Sequence, residues 1–323
     1  MNIRTLRAAA ALAAMLLLIL LGPETASAAG EGVELCIRTV IPALFPFFVL
    51  SVLLTGNASS LPVLRPLGKL FRVPPGGEPV LLAGLLGGYP VGADAAARAV
   101  NSGVLTREQG NRMLLFCSQA GPAFIFGILP GRFSVKHFVP VLWMIQLFSA
   151  WVIARLCSCA SQCTYHPGNE SGITFPGAVK RSVLVMANIC GWIVLFRMLL
   201  RLAQTYILTP LPSWLNVFLC GIAELTNGCL ALDRIAQEGL RFILCSILLS
   251  LGGGCVLMQT LSVTAGLDIR FYLKGKLLQA VLSGSLSALY LLSPPGWMLF
   301  LLLSGIFLSR FEKRAGNQDY SVV

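Results

Sequence analysis

The chain has 323 residues, of which 56% are apolar and only 11% charged, against roughly 25% charged residues in soluble domains. With a mean hydropathy of +0.80, this composition excludes a disordered protein and an ordinary soluble enzyme, and places the chain in a membrane. The net charge of +11 comes from 24 Lys and Arg against 13 Asp and Glu. These basic residues fall between apolar runs with no aromatic-interleaved stripe, so they read as topology signals and give no reason to expect nucleic acid.

Residues 1–30 carry Arg4 and Arg7, an apolar run from Ala8 to Leu21, and the small residues Ala26-Ser27-Ala28. Two readings stand: a cleaved signal peptide, or a retained first span acting as an N-terminal anchor. Either puts the N-terminus inside. The next span runs from Cys36 to Leu54 with Pro42 and Pro46 within it, and is expected to be kinked. A Pro- and Gly-rich loop, 56–79, carries Arg65, Lys69 and Arg72. The apolar run Val80–Leu86 is too short to cross ~30 Å of hydrocarbon and stops at Gly87-Gly88-Tyr89-Pro90-Val91-Gly92. An amphipathic stretch, Ala93–Arg112, leads into a span, Met113–Leu129, interrupted by Ser118-Gln119-Ala120-Gly121-Pro122; a further span covers Phe138–Ala154.

The connector after it holds Cys157, Cys159, Cys163 and His166, whose spacing departs from the usual zinc pairs. The other cysteines lie mostly in apolar runs and read as packing residues. A sequon, Asn169-Glu170-Ser171, falls on the expected inner side. The second half opens with a span from Ser182 to Leu200 that has Asn188 at its middle. The short run Trp214–Ala223 breaks at Glu224-Leu225-Thr226-Asn227-Gly228. After a charged stretch, the span Phe242–Val263 is interrupted by Gly252-Gly253-Gly254, and a loop with Arg270, Lys274 and Lys276 follows. Apolar runs Leu277–Leu292 and Trp297–Leu308 precede a basic tail.

The same order of elements thus occurs twice. Gly84-Leu85-Leu86 aligns with Gly221-Ile222-Ala223, and Ser118–Gly121 with Ser250–Gly253. If each short run is a re-entrant hairpin, the positive charges of 65–72, 155–181, 270–276 and 310–314 all fall inside, and the first hairpin enters from inside, the second from outside. The alternative is that both runs cross fully. The expected fold is all-α and polytopic, with about eight spanning helices and two broken hairpins in an inverted repeat. Its parts are the N-terminal segment 1–30, a first repeat 31–156, a cytosolic connector 157–181, a second repeat 182–309 and a cytosolic tail 310–323. Paired Gly/Pro-interrupted segments point to a transporter site near the midplane.

Broken helices in lipid leave backbone donors and acceptors that protein, water or substrate must satisfy. Helices restarting after Gly92, after Gly121-Pro122 and after Gly228 present N–H groups suited to an anion. The expected substrate site is Gly88, Tyr89, Pro90, Gly92, Ser118, Gln119, Gly121, Pro122, Glu224, Thr226, Asn227, Gly228, Ser250 and Gly253. An acid within an apolar run is costly, so Glu224 is read as a proton or ligand group, with Asn188 as a second coupling candidate. The plainer readings are a water-exposed helix cap for Glu224 and a helix–helix hydrogen bond for Asn188. No H-E-x-x-H, G-x-S-x-G, paired-aspartate or nucleotide-loop motif lies in a span, so neither an enzyme nor a cofactor or metal is expected.

The blocks VIPALFPFFVLSVLL (Val40–Leu54), LLGGYPVGAD (Leu85–Asp94), Thr106-Arg107-Glu108, AGPAFIF (Ala120–Phe126) and GIAELTNG (Gly221–Gly228) resemble, in this order, the YlbJ or SpoVV family of sporulation integral membrane proteins. The resemblance covers about residues 31–300. It implies a nucleoside-recognition gate domain, and a role carrying dipicolinic acid across the outer forespore membrane. It implies as partners a small anionic substrate and the bilayer, with a homo-oligomer or other sporulation membrane proteins left open. The same scaffold would also suit a nucleoside or nucleobase carrier, or a non-transporting spore-maturation protein. Gly87-Gly88-Tyr89 and the Cys-rich connector depart from the family pattern.

Overall fold

A computed structural model describes residues 5–6, 9, 12, 15–16, 19–57, 62–157, 172–208 and 210–293. The N-terminal apolar run is therefore described only in scattered positions. Cys159, Cys163, His166, the sequon, the run Trp297–Leu308 and the tail lie outside the described residues.

Among the described residues the chain is all helical. Helices α1 (Gly22–Leu35) and α2 (Ile41–Asn57) are joined without a break by a π turn, Cys36–Val40. The span expected from Cys36 thus starts earlier, and Pro46 sits inside α2. Short α3 (Arg65–Phe71) forms in the loop that was expected to be irregular. Then come α4 (Glu78–Gly87), α5 (Val91–Asn101), α6 (Arg107–Met113), α7 (Pro122–Ile128) and α8 (Phe138–Leu156). After the connector follow α9 (Phe175–Ala203), α10 (Ser213–Ala223), α11 (Leu225–Leu230), α12 (Glu238–Leu251), α13 (Gly253–Val263) and α14 (Ile269–Leu292). Among the described residues, five stretches are long and apolar enough to cross a membrane: Gly22–Gly56, Phe138–Leu156, Phe175–Ala203, Glu238–Val263 and Ile269–Leu292. Their outward faces carry Val183, Leu184, Leu195, Leu277, Leu278 and Val281, as lipid contact requires. The chain is a multi-pass membrane protein.

Glycine shapes both short hairpins. Gly88, at φ +75°, turns α4 back into α5. A Cβ on Gly92 would lie 2.8 Å from the Gly84 Cα and 1.9 Å from the Cys117 carbonyl oxygen, so the two helices and the segment behind them touch backbone to backbone. The second hairpin closes in the same manner: a Cβ on Gly228 would lie 2.3 Å from the Gly221 Cα. Residues 114–121 are non-helical between α6 and α7, and α12 is separated from α13 at Gly252 and Gly253, both at positive φ.

The packing partners recur in pairs. Helix α7 packs on α11, and α13 on α5; α6 packs on α14, and α12 on α8; α2 packs on α7, and α9 on α13. At one end of the bundle Asp94 pairs with Arg98 and Arg181, Arg98 reaches Thr55, and the Asp268 N–H donates to Asn111 Oδ1 at 2.8 Å. At the other end Glu31 pairs with Arg197 and Arg201, Asp233 with Arg132, and Glu238 accepts from Ser134 N–H.

Candidate functional site

Four breaks meet in the middle of the bundle. The Tyr89 N–H donates to the Gln119 carbonyl at 2.8 Å, which ties the tip of the first hairpin to the 114–121 segment. A Cβ on Gly88 would lie 2.5 Å from the Gly121 nitrogen, so the fixation depends on glycine. A Cβ on Gly253 would lie 2.7 Å from the Gly221 carbonyl, so the α12–α13 break is seated on the second hairpin in the corresponding way.

Between the two hairpin tips lies a cavity of about 430 Å³, a size typical of small-molecule sites. Tyr89, Gly121 and Phe124 line it from one side, and Glu224 and Thr226 from the other. Gln259 of α13, with Arg38 and Thr39 of the π turn, adds to its polar lining. None of the three was singled out in the sequence. Gln259 is a lone amide in an apolar run, which is the signal that could have found it; Arg38 reads from sequence as a boundary charge, and it also pairs with Glu34.

Glu224 is 2% exposed. It is the N-cap of α11, with its carboxylate accepting from the Thr226 N–H at 3.0 Å and the Asn227 N–H at 2.7 Å. The cap expected as the plainer reading is thus present, but buried on the cavity wall and not in water. It also changes the expectation for this helix end. Helix α11 starts at Leu225, not after Gly228, and its free N–H groups are already taken by a carboxylate. Likewise α5 starts at Val91, before Gly92, and its early N–H groups bond back to Gly88 and Pro90 carbonyls. The ends of α7, capped by Gly121 with Pro122 as its first residue, and of α13, capped by Gly252, have no side-chain cap.

The other expected residues are distributed around this cavity. Gly88 and Pro90 form the turn beneath Tyr89, and Gly92, Gly228 and Gly253 serve close packing. Ser118 and Gln119 are buried, and the Ser118 hydroxyl and Gln119 Nε2 have no hydrogen-bond partner among the described residues. Ser250 lies in a buried polar seam where α8, α12 and α14 meet: Gln146 Nε2 donates to Ser250 Oγ at 3.0 Å, and Ser250 and Ser283 hydroxyls are 2.6 Å apart. Gln279 Nε2 donates to Gln146 Oε1 and to Gln119 Oε1, both at 3.1 Å. Asn188 is exposed on α9, away from the cavity. Asn227 is buried, its side-chain amide has no partner among the described residues, and it faces a second cavity of about 430 Å³ lined by Arg197, Arg201 and Glu31.

Lys276 corrects a sequence expectation. Read with Arg270 and Lys274 as a loop residue, it lies instead within α14 and is 3% exposed, because α14 begins at Ile269 and turns this position toward the 114–121 segment. The Leu115 carbonyl sits where a Cβ on neighbouring Gly275 would be, 2.1 Å away.

The sequence is 27% identical over 310 residues to the sporulation integral membrane protein YlbJ of Bacillus subtilis, an alignment covering 79% of this chain and 74% of that protein. No family model matches the chain, and no solved structure matches it.

Proposed function

The chain belongs to the YlbJ family of sporulation integral membrane proteins, and from that premise we propose that it carries a small organic anion across a membrane of the sporulating cell by alternating access. Dipicolinic acid crossing the outer forespore membrane is the substrate and step this reading assigns. One observation carries it: the broken tips of both hairpins border one shared cavity, with Tyr89 and Gly121 on one side and Glu224 and Thr226 on the other. Non-helical backbone in the hydrocarbon is tolerated where it lines a protein-enclosed or watered cavity, and such cavities are where carriers bind.

The reading includes an inverted repeat of eight crossings and two re-entrant hairpins. The crossings are the five long helical stretches, the interrupted α6–α7 pair, and the terminal apolar runs 8–21 and 297–308. What supports the two-fold relation is an exchange of partners in two contacts between the halves, which recur with the counterparts swapped: α7–α11 against α13–α5 and α6–α14 against α12–α8. Both termini are then inside. The aromatic faces of Tyr89 and Phe124 suit a planar ring, and Arg38 supplies a positive charge at the cavity wall. Glu224 and Gln259 on the same wall favour a second substrate class, a nucleoside held by hydrogen bonds. No cofactor or enzymatic step enters this reading.

The test is uptake of radiolabelled dipicolinate by the purified full-length protein in liposomes, with uridine as competitor. Saturable dipicolinate uptake that uridine leaves unchanged is expected. Uptake of uridine with exclusion of dipicolinate would replace the anion reading with the nucleoside one.

A further inference from the structure

Lys276 is a buried amine with no carboxylate beside it among the described residues. It is 3% exposed, and among the described residues no Asp or Glu lies within ion-pair distance. Its Nζ donates to Gln279 Oε1 at 3.1 Å and stands 5.6 Å from the ring centroids of both Tyr89 and Tyr272. A neutral amide and two ring faces satisfy such a charge only in part. An unpaired ion in a low-dielectric interior costs several kcal/mol, and ionisable residues inside membrane proteins mark ligand or ion paths.

The polar groups around it are uncharged and can donate hydrogen bonds. Gln279 bonds Lys276 on one side and Gln119 on the other, so Lys276 and the 118–119 segment belong to one cluster. In that cluster Gln119 Nε2, the Ser118 hydroxyl and the Tyr89 hydroxyl are buried and have no partner among the described residues. Every one of these can donate a hydrogen bond, the amide only donates while the two hydroxyls can also accept, and the amide oxygens Gln279 Oε1 and Gln119 Oε1 are already engaged. A surplus of donors beside an unpaired cation calls for an anion. Tyr89 joins this cluster to the cavity, since the residue that lines the cavity is the one that Lys276 faces.

We propose that Lys276 is the countercharge for one carboxylate of the transported anion, in an occluded subsite behind Tyr89. Gln119 Nε2 and the Ser118 hydroxyl complete the donor set, and displacement of the Tyr89 side chain opens it to the cavity. The subsite rests on the anion-carrier reading and adds a selectivity to it. A dicarboxylate engages Lys276 with one carboxylate while the other stays in the cavity near Arg38; a monocarboxylate engages only one of the two.

The experiment compares wild type, Lys276→Arg and Lys276→Met, each full length in liposomes, with pyridine-2,6-dicarboxylate and pyridine-2-carboxylate as probes. The wild type is expected to prefer the dicarboxylate at least tenfold. Lys276→Arg keeps the preference, and Lys276→Met loses it. Thermal unfolding in detergent without ligand supplies the structural control. Lys276→Met is expected to be as stable as wild type or more so, since it removes an uncompensated charge; a lysine with only a structural role would lower stability and transport of both probes together. Lys276→Met with the wild-type preference overturns the subsite while leaving the anion carrier standing. A wild type that takes up neither probe overturns both.

Discussion

Gly92→Ala tests the central packing of the molecule with a single methyl group. Its Cβ would stand 1.9 Å from the Cys117 carbonyl oxygen, where a carbon and a carbonyl oxygen ordinarily approach to about 3.3 Å. Backbone must therefore move by about 1.4 Å, and no flexible side chain is available to absorb the change. Overpacking of this kind costs about 1–3 kcal/mol. Displacing the 114–121 segment also loosens the Tyr89 N–H to Gln119 carbonyl bond at 2.8 Å, worth about 1 kcal/mol. A total near 3 kcal/mol lowers the melting temperature by roughly 6–12 °C at about 2–4 °C per kcal/mol. Gly191→Ala is the control. That glycine is helical, exposed on α9, with nothing within 4 Å of a built Cβ, so the same substitution should stabilise by about 0.5–1 kcal/mol. A thiol-reactive dye reads both melts in detergent, since Cys36, Cys117, Cys220, Cys229, Cys245 and Cys255 are free and buried until unfolding. Equal melting of Gly92→Ala and wild type would refute the backbone contact.

Glu224→Gln and Gly88→Leu are expected to abolish dipicolinate uptake while membrane insertion is retained, the first by removing the carboxylate from the cavity and the second by driving a side chain into the Gly121 backbone. Wild-type uptake in both liposome assays would eliminate a site between the hairpins. Asp94→Asn removes the buried carboxylate that pairs with both Arg98, 11% exposed, and Arg181 and should cost about 3–5 kcal/mol. Because the pair is buried, the loss should persist in 0.5 M salt at about the same size, and a melt unchanged from wild type would refute it.

Breaks were the most legible feature of the sequence. Glycines 88, 121 and 252 and the acid at 224 interrupt apolar runs, and a run too short to span announces itself by length. Side-chain direction inside long helices was not legible. Lys276 reads as a loop charge because two basic residues precede it, and only the packing of α14 on the 114–121 segment shows that it points inward. Gln146 and Gln279 are single amides in apolar runs, indistinguishable in sequence from lipid-facing polar residues until three helices bring them together. Asn188, which follows the same sequence logic, lies on the exposed face of α9. The start of α11 was misplaced by the glycine at 228, whose role is contact with Gly221; the glutamate caps the helix.

The dependence of the 114–121 segment on α14 has a consequence for how the protein is made. Helices α4 to α7 have 7 to 11 residues each, and none is long enough to be committed to the bilayer as it leaves the ribosome. Their central segment is held by Asn111 on the Asp268 N–H, by Gln119 on Gln279, and by Leu115 against Gly275. All three anchors are synthesised about 160 residues later. A nascent chain that ends before residue 268 therefore has the first hairpin and the 114–121 segment in contact with each other, but lacks all three of these anchors from α14 and its cap.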